Sequence, residues 1–307
     1  MSDREIDMHD FNGKVAFITG GGSGVALGQA KVFAEAGARV VIADIREDHL
    51  EQAMSFFGRT DAQVHPILLD VTDRAAFVEA ADETERVFGP VQLLFNTAGV
   101  SIFGPLEKST YDDYDWQMGV NFGGVVNGIQ TFVPRMIEYG KGGHIVNTSS
   151  VGGIIAAGPA GVYTASKFAV RGLSEALRSE LAKYDIGVSV LCPANVNTNI
   201  AEAVQTRPQK YSKSGYRFND AVLESLRRIY SAGKNPVELA EETLEAVQEN
   251  RPYIIPYPEV RQALQNHFAE ILAALPPEDA DPEGVAKRRA AMEQYRKELK
   301  DQQYKVH

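Results

Sequence analysis

A single cysteine, Cys192, occurs in 307 residues, so no internal disulfide can form and a reducing compartment suits the chain. It lies in an apolar run, 188–192, that reads as a strand with a buried free thiol. Basic residues are in deficit. Lys and Arg total 31 against 41 Asp and Glu, giving a net charge of -10, and no dense Lys/Arg cluster precedes the tail. Nonspecific binding to a phosphate backbone is therefore disfavoured, and no nucleic-acid partner is expected. No apolar run is long enough to cross a bilayer, and the polar stretch 1–10 lacks the basic end and apolar centre of a signal peptide. The expectation is a soluble cytoplasmic protein with no membrane contact. Internal repeats and low-complexity linkers are also missing, and no metal site is expected.

What the chain does have is alternation. Apolar runs near 15–19, 40–44, 65–70, 93–96, 144–149 and 188–192 are separated by helical patterns, the signature of parallel strands joined by right-handed helical crossovers. A seventh run, Tyr253-Ile-Ile-Pro-Tyr-Pro258, contains prolines that suit an edge strand or its end. At this length one α/β domain with one large core suffices. The expected layout is an N-terminal tail (1–12), a catalytic domain (13–260) and a C-terminal helical extension (261–307). The extension carries helical patterns at 260–274 and 284–299, separated by a Pro/Asp/Glu-rich stretch. With mixed charge and few large apolar residues, the last pattern reads as a solvated or subunit-contacting arm.

The first strand runs directly into Gly20-Gly-Gly-Ser-Gly24-Val-Ala26-Leu-Gly28 and then a helical pattern. A strand, a glycine turn and a helix N-terminus together present backbone N–H groups and a positive dipole end to a pyrophosphate. The spacing departs from GxGxxG, with Ala26 where a third glycine would fall, but alanine still permits close helix-to-strand packing. The second strand ends in Asp44, about twenty residues past the glycines, where a carboxylate binds a ribose 2′-hydroxyl and repels a 2′-phosphate. Ile45 follows it instead of a phosphate-binding arginine, although Arg46 lies within reach. These features predict a doubly wound, Rossmann-type seven-stranded parallel sheet with helices on both faces and NAD as cofactor.

Tyr163-Thr-Ala-Ser-Lys167 places a phenol and an ammonium four residues apart, on one face of a helix. A fixed cation beside a phenol lowers its pKa and makes it usable as a base. Ser150 lies thirteen residues upstream at a strand end, where its hydroxyl can hold a substrate oxygen. Ser149 is the adjacent competitor, and strand alternation turns the two to opposite faces. By itself, YxxxK is also an ordinary pattern for a surface helix.

Together these residues resemble the short-chain dehydrogenase/reductase superfamily over residues 13–198. Thr19-Gly20-xxx-Gly24-x-Ala26 is similar to its TGxxxGxG, Asp70-Val71 to its adenine-pocket pair, and Asn96-Thr-Ala-Gly99 to its NNAG turn. Pro193-Ala-Asn-Val196-Asn-Thr198 is similar to its PGxVxT segment, and Asn121, Ser150, Tyr163 and Lys167 to its catalytic tetrad. The resemblance implies that Gly20, Ser23, Gly24 and Val25 hold the dinucleotide at the turn, with Asp44 and Ile45 at the ribose. It implies Asp70, Val71, Asn96, Ala98 and Gly99 along the adenine side, and Pro193, Val196 and Thr198 at the nicotinamide. It further implies that Lys167 binds the nicotinamide ribose and that Asn121 helps hold a water connecting Lys167 to solvent. By chemistry alone, Asn121 is as well read as a structural helix amide. A homodimer or homotetramer is implied, through the helices at 111–139 and 161–184.

Substrate choice must come from elsewhere. The regions 100–103, 151–159 and 199–234 can line a pocket, and the last reads as a lid carrying Tyr211, Tyr216, Phe218 and Tyr230. Those aromatics suit a flat or apolar substrate; equally, they can pack the lid onto the core. Three segments, GPLEKSTYDDYDW from Gly104, RPQKYSKSGY from Arg207 and PYIIPYPEVR from Pro252, resemble a bacterial subgroup that includes the Cα-dehydrogenases of lignin-derived β-aryl ether breakdown. That resemblance implies NAD-dependent oxidation of a bulky benzylic secondary alcohol to an aryl ketone. The alternatives are a hydroxysteroid, terpene or other alicyclic alcohol and, outside enzymes, an NAD-binding regulator, which has no need for Ser150, Tyr163 and Lys167 together.

Overall fold

A computed structural model describes residues 8–156, 158–217, 220–277 and 279–303. The chain divides into two compact units, one up to Pro258 and one from Glu259.

The first unit opens with β1 (Val15–Thr19), α1 (Gly24–Glu35), β2 (Arg39–Asp44), α2 (Glu47–Phe57), β3 (Val64–Leu68), α3 (Arg74–Phe88) and β4 (Val91–Asn96). It continues through α4 (Tyr111–Met118), α5 (Gly124–Tyr139), β5 (Gly143–Thr148), α6 (Gly161–Leu181) and β6 (Ile186–Leu191). After a long excursion come α7 (Asp220–Ser231), α8 (Pro236–Gln248) and the short β7 (Tyr253–Ile254). All seven strands form one parallel sheet in the order β3-β2-β1-β4-β5-β6-β7, the doubly wound arrangement.

A central parallel strand is covered on both faces, which is why these runs read as continuously apolar. Register aligns Val41, Phe17, Leu94, Ile145 and Val188 across five strands. This stripe packs into one core with Phe77 of α3, Phe132 of α5 and Val170 of α6. On the alternate face, Phe95 meets Phe33 of α1 with ring centroids 4.7 Å apart. Burial of such side chains stabilises by roughly 25 cal/mol per Å² of apolar surface, so the sheet is the rigid part to which the site is attached.

Three boundaries differ from those read in the sequence. The seventh strand stops at Ile254, because a proline follows at 256 and cannot donate to a ladder. The third spans Val64–Leu68 and tolerates Pro66 because β3 is an edge strand. The helix expected over 111–139 contains one π turn, Gly119–Gly123, between α4 and α5, and that turn carries Asn121. Wide turns of this kind are frequent at functional sites.

In the second unit, α9 (Arg261–Ala273) and α10 (Pro282–Gln303) correspond to the two expected helical patterns, and Pro282 occupies the helix start that suits proline.

Candidate active site

In an open α/β sheet a ligand crevice forms beyond the strand C-termini, where the chain reverses its direction of winding. Here the reversal falls between β1 and β4. Two adjoining cavities of about 340 and 290 Å³ occupy that position and share Val25, Gly99 and Thr198 on their walls.

The larger cavity is built on the glycine turn. Gly20 (φ 74°) and Gly24 (φ 54°) adopt left-handed conformations that other residues avoid, and a Cβ on Gly20 would lie 3.0 Å from the Ala98 backbone. The turn delivers α1 with Ser23 at its N-cap, no side-chain cap bond and no acid in the first turn. Its free N–H groups therefore face the cavity with an unneutralised dipole. Asp44, 8 % exposed, supports the turn by accepting from Gly22 N at 3.1 Å and from Arg46 N at 3.0 Å. Ser23, Ile45, Asp70, Val71 and Ala98 complete the wall. Asp70 is oriented by Thr72, whose N and Oγ1 donate to its Oδ1 at 2.9 and 2.7 Å. Glycine cradle, open helix end and terminal carboxylate fit a dinucleotide.

The smaller cavity gathers Ser150, Tyr163 and Lys167 with Pro193 and Val196. Ser150 Oγ accepts from Gly152 N at 3.0 Å and donates to Pro193 O at 3.3 Å, which aims it at the Tyr163 phenol. Ser149 takes no part, because its hydroxyl donates to Lys167 O at 2.8 Å. Phe103 meets the Tyr163 ring edge-on, centroids 5.7 Å apart, and restricts its rotation.

Electrostatics here differ from the sequence expectation. Burial raises the Tyr163 phenol to about 12, with the Ser150 bond acting in the lowering direction, and burial brings Lys167 down to about 8. The lysine therefore does not make the phenol more acidic in this state. Its ammonium donates to Thr148 O at 2.9 Å and stands 5.7 Å from the centre of the Tyr163 ring, so desolvation outweighs attraction.

Two expected site residues lie outside both cavities. Asn96, 2 % exposed, donates to Asn147 Oδ1 at 2.8 Å, and Asn147 in turn donates to Ser174 Oγ at 2.9 Å. Its side chain ties β4 to β5 and α6. Asn121 donates to Val100 O and to Ser166 Oγ, each at 3.0 Å, and accepts from Val100 N at 2.8 Å. Its amide clamps the loop after β4 from the π turn.

The segment 199–234 is only partly as expected. Phe218 lies outside the described residues. Tyr216, 8 % exposed, packs with Trp116 and Ile102 and bonds Ser109 at 2.7 Å, while Tyr230 lines the smaller cavity. Missed in the sequence is the anchor that holds this segment, Asp113 of α4. Its carboxylate accepts from Arg207 Nη1 at 2.6 Å, Ser214 Oγ at 2.8 Å, Gly215 N at 3.2 Å, and Thr110 N and Oγ1 at 2.9 and 3.0 Å. Burial acts to raise the Asp113 pKa, and these donors outweigh it and hold the group below the usual carboxylate range. Thr19, the first residue of the glycine-turn motif, accepts at Oγ1 from Thr97 N and Ala98 N, pinning the β4 turn to the end of β1.

Comparison with known proteins agrees with this geometry. The short chain dehydrogenase family matches residues 14–209. A C alpha-dehydrogenase of Sphingobium sp. is 51 % identical over 286 residues, covering 93 % of this chain and 94 % of that protein. The crystal structure of the apo form of LigO from Sphingobium sp. strain SYK-6 has 49 % identity and a TM-score of 0.77, covering 94 % of this chain and 98 % of that one. A short chain dehydrogenase/reductase from Burkholderia phymatum, crystallised in complex with NAD, has 36 % identity and a TM-score of 0.83, covering 89 % and 99 %. A match through most of the sheet and the cavity at its C-terminal edge, joined to a relative at this identity, places the chain in the short chain dehydrogenase family of oxidoreductases.

Proposed function

We propose that the enzyme uses NAD to oxidise a bulky benzylic secondary alcohol, of the β-aryl ether type, to the aryl ketone. The observation that carries the proposal is the adjacency of two cavities with shared walls, one at the α1 N-terminus and Asp44 and the other at Ser150, Tyr163 and Lys167. Gly20, Ser23, Gly24 and Val25 would hold the pyrophosphate, Asp44 and Ile45 the adenosine ribose, Asp70, Val71, Ala98 and Gly99 the adenine side. Pro193, Val196 and Thr198 would hold the nicotinamide end. When bound, the dinucleotide supplies the hydride acceptor and a positive charge beside the phenol. Tyr163 Oη takes the alcohol proton, and Ser150 Oγ donates to the substrate oxygen as its charge changes. Lys167, buried and fixed by Thr148 O, would hold the nicotinamide ribose. Asn121 acts by positioning Val100 at the mouth of the cavity.

Similarity to the Sphingobium C alpha-dehydrogenase supports the benzylic substrate. The apolar wall of Phe103, Val196 and Ile200 suits an aromatic ring. A panel of β-aryl ether alcohols, hydroxysteroids and terpene alcohols, assayed with NAD and NADP by absorbance of the reduced dinucleotide, tests the reading. NAD-linked turnover of the β-aryl ether alcohols is expected; turnover only of aliphatic or sugar alcohols overturns it.

A homodimer or homotetramer in the cytoplasm completes the proposal. Exposed Tyr111, Tyr114 and Phe168 on α4 and α6 support a subunit contact there, and light scattering measures its order. Among the described residues no helix is long and apolar enough to cross a membrane.

A further inference from the structure

We infer that Glu202, on the segment that follows β6, is a second determinant of dinucleotide choice, acting with Asp44 to repel a phosphate on the adenosine 2′-oxygen. The inference rests on the proposed NAD-linked reaction and deepens it by assigning part of the cofactor preference to the lid.

Strands β2 and β6 lie on opposite sides of the β1–β4 reversal, so the chain leaving each reaches the larger cavity from opposite sides. The segment after β6 crosses to the glycine turn. Ser23 Oγ donates to Asn199 Oδ1 at 3.2 Å, and a Cβ on Gly24 would lie 3.1 Å from Thr198 Cγ2. A 3-10 turn, Ile200–Val204, begins immediately beyond. Its Ala201 and Ala203 are buried, and Glu202 between them is half-buried on the cavity wall that also carries Asp44 and Ile45.

Charge on this wall is unequally compensated. Both Asp44 oxygens accept from backbone N–H groups, at Gly22 and at Arg46, which draws that charge towards the turn. The Arg46 guanidinium is bonded at two points to Asp48. Asp48 is the main reason that Arg46 holds its proton more firmly than usual, and Glu202 and then Asp44 add to the effect, so the Glu202 carboxylate stands close enough to act across the cavity mouth. Lys210 lines the same wall but is exposed, where solvent and salt screen it. Neither cation neutralises Glu202. NADP differs from NAD by one phosphate on the adenosine ribose, a group with close to two negative charges at neutral pH. A carboxylate facing it from the lid adds repulsion to that of Asp44, whereas the neutral 2′-hydroxyl of NAD meets none.

The test titrates full-length wild type, Glu202→Gln and Glu202→Asp with NADH and with NADPH at low salt, following the fluorescence of the reduced dinucleotide. The readout is the ratio of the two dissociation constants. Glu202→Gln keeps the shape and removes the charge, so it should tighten NADPH about fivefold and leave NADH within about twofold. Glu202→Asp should keep most of the wild-type ratio, and near-molar salt should erase the gain of Glu202→Gln. Equal changes for both dinucleotides would make Glu202 a clasp that merely closes the cavity and would overturn the inference. Unchanged constants, or a gain that survives the salt, would overturn it as well. If wild type binds NADH and the ratio stays fixed in Glu202→Gln, this inference alone fails. If wild type prefers NADPH and Glu202→Gln strengthens that preference, the NAD reading fails and this inference stands. If wild type binds neither dinucleotide, both fail.

Discussion

The two walls of the cleft are held by different physics. On the sheet side, backbone fixes everything: Gly20 N donates to Ala43 O at 2.7 Å, Ser149 N to Leu191 O at 2.7 Å and Val151 N to Pro193 O at 2.9 Å, so each site residue sits where a strand end puts it. On the lid side, residues 207–216 have few such bonds and are anchored chiefly by Arg207, Ser214 and Gly215, which converge on the Asp113 carboxylate. A wall made of strand ends can carry buried groups that oppose folding, such as Lys167. A wall made of one ion pair and its satellites depends on that pair.

The largest expected effect breaks the chemistry and leaves both walls standing. Tyr163→Phe removes the proton acceptor but keeps the ring against Phe103. Turnover should fall roughly a thousandfold, with NADH affinity in a fluorescence titration unchanged. Retained turnover would move the base elsewhere.

Asp113→Ala attacks the lid wall. It leaves the Arg207 guanidinium, which lies 5.1 Å from the centre of the Trp116 ring with its Nη2 already unpaired, buried without its counter-charge. Loss of one partner of a buried pair costs about 3–5 kcal/mol, so urea unfolding should show a marked drop in stability. The pH dependence has a definite sign. The folded-state pKa of Asp113 is depressed, so its contribution is present above the unfolded value near ~3.9 and is lost as pH falls through the folded one. Wild type and variant should converge in stability at low pH.

Lys167→Met sharpens the contrast from the sheet wall. The folded-state pKa of Lys167, about 8, lies below the ordinary 10.5, so between these values the unfolded chain binds the extra proton. Stability therefore rises with pH across that window. The wild-type stability minus that of Lys167→Met should increase from about pH 8 to about 10.5, and turnover of the variant should be lost. A flat difference would mean that the ammonium is solvated.

The same division explains what the sequence made legible. All seven strands, the glycine turn, Asp44 and the Ser150–Tyr163–Lys167 group were readable because each depends on neighbours within a few residues or on a strand end. The direction of the Asn96 side chain at the end of β4 was not legible, because Asn147 of β5 and Ser174 of α6 decide it. The Asp113–Arg207 pair spans 94 residues and no periodicity announces it. The segments from Gly104 and from Arg207 resemble one bacterial subgroup separately, yet the fold joins them into one structure through Asp113, Thr110 and Ser109. The effect of Lys167 on Tyr163 was misjudged for a related reason: spacing gives proximity, whereas both pKa values depend on burial, which only the packed structure reveals.

The smallest effect concerns cofactor choice at the rim between the walls. Asp44 disfavours a 2′-phosphate, and Arg46 is the cation that could attract one. Arg46 is occupied, however: its Nε donates to Asp48 Oδ1 at 2.7 Å and its Nη2 to Asp48 Oδ2, a two-point pair that holds Asp48 at about 2. Asp48→Ala should free the guanidinium and raise kcat/KM with NADP a few-fold while the value with NAD stays nearly constant. The gain must be small, because an exposed ion pair is weak and Asp44 remains in place. Near-molar salt, where the screening length is about 3 Å, should erase most of it. A gain that survives such salt would locate the discrimination in the shape of the pocket and not in charge, and Asp48→Ala without any gain would show that Arg46 does not reach the ribose.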